Sequence, residues 1–209
     1  MPTKKELRAS DRRHDIIEAG LAVLREHGYV GFTQPRVAAR AGLRQSHITY
    51  YHPTRLHLLA AVGRAAVDRQ LLAVDATLGA LSTVEQAADA IAELVTRYEN
   101  TRVLMALVQA SEEEPGLRDL FRELADGAVS RVAAFLSRIS GSPVSEDSAR
   151  FLHALSVGVA VISLATGRPD AKQRAAGLFT TALHLLVGDP PPPTAPKRVS
   201  RRRGSKDDS

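Results

Sequence analysis

The chain contains no cysteine and no tryptophan, and its aromatic complement is four tyrosines and five phenylalanines. The absence of thiols excludes a disulfide framework, a thiolate zinc site, an iron–sulfur cluster, a cysteine nucleophile and a thiol redox sensor. A long hydrophobic run is missing too. Towards the end, the best uncharged, histidine-free stretch is 154–167. It has 14 residues and includes Ser156, Ser163 and Thr166, whereas a bilayer span needs about 20. The basic start, Met1-Pro-Thr-Lys-Lys-Glu-Leu-Arg, is not followed by an apolar segment, so it is no secretory signal. These features predict a soluble, cytoplasmic protein. Alternating apolar/polar stretches long enough for a strand are also lacking.

What is present is a globular composition, 44% hydrophobic and 24% charged, over 209 residues. That length suits one or two domains. The net charge of +5 is unevenly spread. Residues 1–66 carry 11 Lys/Arg against 5 Asp/Glu, residues 67–196 carry 11 against 16, and residues 197–209 carry 6 against 2. A basic front and an acidic middle suggest a polyanion-binding module joined to a second unit. A membrane-surface helix would give similar totals. Here, however, the basic residues surround turns and short helices instead of lining one long face.

The punctuation predicts an all-α chain of about nine helices. Residues 1–9 form a basic arm, with Ser10 as the cap of a first helix that Gly28 stops. Thr33 caps a second helix with Pro35 in its first turn, and Gly42 ends it. A third helix covers about Gln45–Tyr51, and Thr54 caps a long fourth to about Leu78. Further helices are expected from Ser82/Thr83 to about Asn100, from Thr101 to the acidic run Glu112–Glu114, from Leu117 to Ser140, from Ser145 to Thr166, and from Pro169 to about Gly188. A proline-rich and basic tail, 189–209, reads as a stiff linker and disordered end. The resulting units are 1–9, 10–53, 54–188 and 189–209.

Enzymatic signatures are missing. There is no His-Glu metal helix, no phosphate-cradling glycine loop and no Gly-x-Ser-x-Gly elbow. His47, His52 and His57 recur every five residues, which is not one-face spacing, and Pro53 interrupts them. No metal, cofactor or catalytic residue is assigned.

The pattern that carries chemistry is two short helices joined by a glycine turn inside a basic region, a helix-turn-helix. Ala38 and Ala41 allow close packing. Ile48 and Tyr51 face inward, leaving Gln45, Ser46, Thr49 and Tyr50 outward with hydrogen-bonding capacity and no net charge. Arg36, Arg40, Arg44 and Arg55 surround them.

Residues 16–59 resemble the N-terminal domain of the tetracycline-repressor (TetR) family. The resemblance rests on Ile16-Ile-Glu-Ala-Gly, Gly28-Tyr-Val-Gly-Phe-Thr33, Val37-Ala38-Ala39-Arg40-Ala41-Gly42-Leu43, Ile48, Tyr50-Tyr51-His52-Pro53-Thr54-Arg55 and Leu58-Leu59. Thr49 and His52 depart from the family pattern, which usually has Tyr and Phe there. The resemblance implies a DNA-binding transcriptional regulator with a helical ligand-binding and dimerisation domain. By that likeness Thr33 offers a hydroxyl to phosphate, and Gln45 reads a base edge. Arg44 reads guanine or holds a phosphate. Ser46, His47, Tyr50 and Tyr51 contact backbone or a thymine methyl, and Arg55 clamps a phosphate. Lys4, Lys5, Arg8, Arg12 and Arg13 follow the backbone or minor groove.

By the same resemblance, the helices between about 55 and 165 are expected to enclose a pocket, and their residues suit a mostly apolar small-molecule effector. Its candidate lining is Leu71, Ile91, Tyr98, Met105, Leu107, Gln109, Phe121, Phe135 and His153. The last two helices, through Leu152, Leu155, Val159, Ile162, Phe179, Leu183 and Leu186, are expected to form a homodimer interface suited to a palindromic operator on double-stranded DNA. The favoured reading is a repressor released by its effector. An activator, or an architectural DNA binder without an effector, is the alternative.

Overall fold

The computed structural model describes the backbone of residues 4–188 and the side chains of residues 11–188. Among the described residues the chain is all-helical: α1 (Lys4–Gly31), α2 (Gln34–Arg40), α3 (Gln45–Tyr51), α4 (Arg55–Gly79), α5 (Val84–Val95), α6 (Tyr98–Glu113), α7 (Pro115–Ser140), α8 (Glu146–Thr166) and α9 (Ala171–Val187). The expected tail, 189–209, and the side chains of Lys4, Lys5 and Arg8 lie outside the described residues.

The expected caps at α2, α4, α5 and α8 are made. The hydroxyls of Thr33, Thr54, Thr83 and Ser145 accept from the backbone N–H groups of Arg36, His57, Gln86 and Ser148 at 3.1–3.4 Å, satisfying donors that a helix start leaves unpaired. Two expectations need correction. α1 does not begin at Ser10 but at Lys4, because the residues ahead of Ser10 are good helix formers with no breaker among them. The break expected near Asn100 falls instead at Thr96-Arg97. There Thr96 turns its hydroxyl back onto the Ala92 carbonyl at 2.7 Å, ending α5 without glycine or proline.

Gly28 (φ 63°, ψ −170°) breaks α1 ahead of its last turn. Gly42 (φ 65°) makes the α2–α3 reversal. In that turn the N–H groups of Gly42 and Leu43 bond to the carbonyls of Ala39 and Ala38, closing the C-terminus of α2.

Two apolar cores hold the chain together. The first gathers Ile16, Leu21 and Leu24 of α1, Val37 of α2, Ile48 of α3 and Leu58 and Val62 of α4. Val103, Leu107 and Ala110 of α6 belong to the same core. The reading head therefore shares its core with a body helix, and packing does not divide at residue 53. The second core is built from α5, α7, α8 and α9 around Phe135, Leu136, Leu152, Phe179 and Leu183. α8 has 21 residues, and its most apolar 18-residue window has a mean hydropathy of 1.6, enough in length and composition to cross a bilayer. One side of it enters the second core through Leu152 and Val159, while Phe151 and Ile162 point outward.

Candidate nucleic-acid interface and internal cavity

Ile48 anchors α3 in the first core, fully buried, with Tyr51 half-buried beside it. Gln45, Ser46 and Tyr50 are exposed on the opposite face, and Tyr50 is 80% exposed. Thr49 is exposed too, but its hydroxyl donates to the Gln45 carbonyl at 3.0 Å. His47 is half-buried, with Nδ1 buried and unpartnered. Tyr51 packs inward with the Arg13 guanidinium 5.5 Å from its ring centre. Gln34 braces the end of α3 by donating from Nε2 to the His52 carbonyl at 2.7 Å. His52, in the position the family usually fills with Phe, is half-buried and its Nε2 has no partner. Burial, then the nearby Arg13 and His57 charges, lower its pKa below the ordinary value.

The surrounding arginines divide into two groups. Arg36 donates to the Gly31 carbonyl at 2.9 Å, and Arg40 pairs with Glu26 at 2.9 Å. Arg44, exposed at the start of α3, has no such commitment. Thr33 is exposed and uses its oxygen as the α2 cap, which leaves its O–H free to donate outward.

Arg55 faces inward rather than towards solvent. Its Nε donates to the Phe32 carbonyl at 2.7 Å, Nη2 to the Tyr29 carbonyl at 2.8 Å and Nη1 to the Tyr29 hydroxyl at 3.1 Å. The guanidinium lies 4.2 Å from the Tyr29 ring centre, within cation–π range. These bonds take three of its five N–H donors, so Arg55 braces the α1–α2 turn from the start of α4. The Tyr29 hydroxyl in turn donates to Glu113 Oε2 at 2.5 Å. Burial and the Glu113 hydrogen bond raise the Tyr29 pKa, with Arg55 pulling the other way. Glu113, in a run that looks like a solvated helix end, is thus a joint between α6 of the body and α1 of the head.

Behind the head lies a cavity of about 200 Å³ bounded by α1, α4, α5, α6, α7 and α8. Of the candidate residues, Ile91, Leu107, Phe121 and His153 line it. Leu71, Tyr98, Met105, Gln109 and Phe135 do not. Leu71 packs on Gly127 instead, and Phe135 is in the second core. Gln109 is exposed, and the early α6 start places Tyr98 at a helix end. Burial lowers the His153 pKa. Leu21 and Arg25 of α1 and Arg69 and Gln70 of α4 also contribute. Arg25 follows Leu21 by four residues on the same helix face, but nothing local sets it apart from the other arginines of the basic front.

The candidate interface residues separate by burial. Leu152, Phe179 and Leu183 are at most 1% exposed and Val159 is 8% exposed, because α5 and α7 of the same chain cover them. They cannot make the principal contacts with a second chain. Leu155 and Leu186 are half-buried against that core. Ile162 is 64% exposed, and it is joined on the outer faces of α8 and α9 by Phe151, Leu178 and Leu185.

A short, core-anchored helix presenting uncharged polar side chains, preceded by a helix at a glycine turn, defines a helix-turn-helix DNA-binding protein. Residues 16–62 match the family described as bacterial regulatory proteins, tetR family, and residues 82–189 match the tetracyclin repressor-like C-terminal domain. The chain belongs to the TetR family of transcriptional regulators. The HTH-type transcriptional regulator CymR of Pseudomonas putida is 29% identical over 116 residues, 54% of this chain and 57% of that protein's length. A putative TetR-family regulator from Mesorhizobium loti superposes with a TM-score of 0.75 at 13% identity, covering 86% of this chain and 96% of its own. A TetR-family member from Streptomyces coelicolor A3 gives 0.64 at 26% identity, covering 82% and 97%.

Proposed function

We propose that this DNA-binding regulator is a homodimeric, cytoplasmic repressor released from a palindromic operator when a small molecule enters the cavity. The observation that carries the reading is the cavity wall itself. Leu21 and Arg25 belong to α1 and residues Gly63–Leu78 to α4, the two helices that hold α2 and α3 through the first core. An occupant therefore bears directly on the elements that aim the reading helix. The Tyr29–Arg55–Glu113 joint supplies a second path from α6 to the head.

Dimerisation is supported by the outward apolar side chains of α8 and α9. Phe151 and Ile162 fall on one stripe of α8, and Leu178 and Leu185 on one stripe of α9. Two such pairs facing each other about a twofold axis bury them in a four-helix arrangement. Recognition helices of the two copies then reach successive major grooves, about 34–36 Å apart. Thr33, Arg44, Gln45, Ser46 and Tyr50 are the proposed DNA contacts. A fold neighbour, a transcriptional regulator from Saccharomonospora viridis that superposes with a TM-score of 0.71 at 19% identity, was solved in complex with choline.

Release is a population shift. The effector must favour the non-binding state by about 1.4 kcal/mol for each tenfold loss of DNA affinity. Filling the cavity from within tests this without knowing the ligand. Ala128, 4% exposed, lines the cavity. Ala128→Trp is expected to keep the helical spectrum and the dimer mass by light scattering, and to lower affinity for a selected DNA site at least tenfold. Unchanged DNA affinity in the folded variant contradicts effector release, and a mass near 22.5 kDa for the wild-type chain contradicts the dimer.

A further inference from the structure

We infer that the cavity takes an apolar monoanion, a carboxylate on a compact hydrocarbon body, and that Arg25 of α1 is the group that holds the carboxylate. The inference rests on the reading of the cavity as an effector site and adds the chemical class of the ligand.

Arg25 lines the cavity, and its Nε is buried with no hydrogen-bond partner. None of the described hydrogen bonds or ion pairs involves its guanidinium. A buried, unpaired donor on a charged group is costly and rare in folded proteins. The second arginine of the wall, Arg69, differs in this respect. It is engaged by Glu18 through both terminal nitrogens, one of them at 3.1 Å, and so carries no free charge. None of the residues lining the cavity is an aspartate or a glutamate. The remaining polar groups are neutral side chains, chiefly Gln70, Asn100, Thr101 and His153, and His153 is held towards its neutral form by burial. Thr77 and Ser156 add hydroxyl groups, and the rest of the wall is aliphatic apart from Phe121.

The wall therefore has one half-buried arginine without a carboxylate partner, its Nε buried, beside a largely apolar cavity. A cation would meet Arg25 with no carboxylate to oppose it. A neutral apolar molecule would fill the volume but leave Nε unpaired. A carboxylate satisfies both, because the side of a guanidinium formed by Nε and one Nη matches its two oxygens. The apolar body then lies against the leucines of α4, α6 and α7. The anion is bonded to α1 of the reading head itself, so charge recognition and the displacement of the head occur at one residue.

The test uses the full-length chain and calorimetric titration with octanoate and 3-phenylpropanoate, their primary amides, and octylammonium. The carboxylates are expected to bind about 10- to 100-fold more tightly than the amides, the range for a charged hydrogen bond, with octylammonium weakest. Arg25→Met, which keeps the apolar stem, is expected to bring carboxylate affinity down to the amide level while leaving the amide unchanged, a split that a merely structural role would not produce. Ala128→Trp should block both. Several results would overturn the inference: amide and carboxylate binding equally, octylammonium binding best, carboxylate affinity unaltered by Arg25→Met or by Ala128→Trp, or no carboxylate binding at all. In each of these cases the DNA affinity of the Ala128→Trp chain still decides separately whether the cavity controls DNA binding.

Discussion

The removal of the Arg55 guanidinium, by Arg55→Met, separates a positioning role from a phosphate-binding one. The variant loses three hydrogen bonds of 2.7–3.1 Å to Phe32 and Tyr29 and the cation–π contact. Charged hydrogen bonds contribute about 1.5–3 kcal/mol each but do not add within one cluster. The methionine stem preserves the packing. A net loss of about 2–4 kcal/mol is therefore expected, corresponding to a melting temperature lower by about 4–16 °C for a chain of this size. Urea unfolding followed by far-ultraviolet dichroism, at fixed protein concentration, measures it. Because Glu113 loses a correctly placed Tyr29 hydroxyl, the head and α6 should also loosen together, visible as faster amide exchange in the last turn of α1. A stability loss below about 0.5 kcal/mol, with the salt dependence of DNA binding reduced by one phosphate contact, would refute the reasoning and favour a phosphate clamp.

Gly20→Ala places a Cβ 2.5 Å from Val62 Cγ2, so it is expected to cost about 1–3 kcal/mol as an overpacked helix crossing. Val62→Ala in the same chain should recover part of that loss in denaturant titration. The His153 pKa is lowered by burial below its ordinary 6.5, so the unfolded chain binds the proton more readily. Its contribution to stability is then complete above about pH 6.5 and is lost as pH falls through the folded-state value. His52 acts in the same direction. His153→Gln is expected to flatten, without abolishing, the decline in melting temperature between pH 7.5 and 5.5, and an unchanged slope contradicts the burial argument.

Local signals carried far in this chain. Hydroxyl caps at Thr33, Thr54, Thr83 and Ser145, the glycine turn at Gly42 and the apolar spacing of Ile48 each depend on residues within a few positions, and each is legible from the sequence. The start of α1 was not, because a polar segment of good helix formers has no apolar face to announce it. The Thr96-Arg97 break was hidden for the opposite reason, since no glycine or proline marks it. Long-range partners were the least legible. Nothing near Arg55 in sequence points to Tyr29, and nothing near Glu113 points to α1. Burial of Leu152, Phe179 and Leu183 is set by α5 and α7, so an apolar face that looked available to a partner is already occupied, and the exposed stripe is its neighbour. The cavity wall likewise depends on where six helices converge, so no local pattern marks Arg25 and Arg69, whereas Ile91 and His153 stand on apolar stretches of their own helices.

Selection of binding sites from random duplex DNA by the full-length chain tests the central claim most directly. The account predicts an enriched inverted repeat whose half-sites are spaced by one or more helical turns. It also predicts that Gln45→Ala, which removes the exposed carboxamide at the start of α3, erases preference at one base pair per half-site, about 1–3 kcal/mol. No enrichment by the wild-type chain, or the same consensus for both proteins, would contradict it.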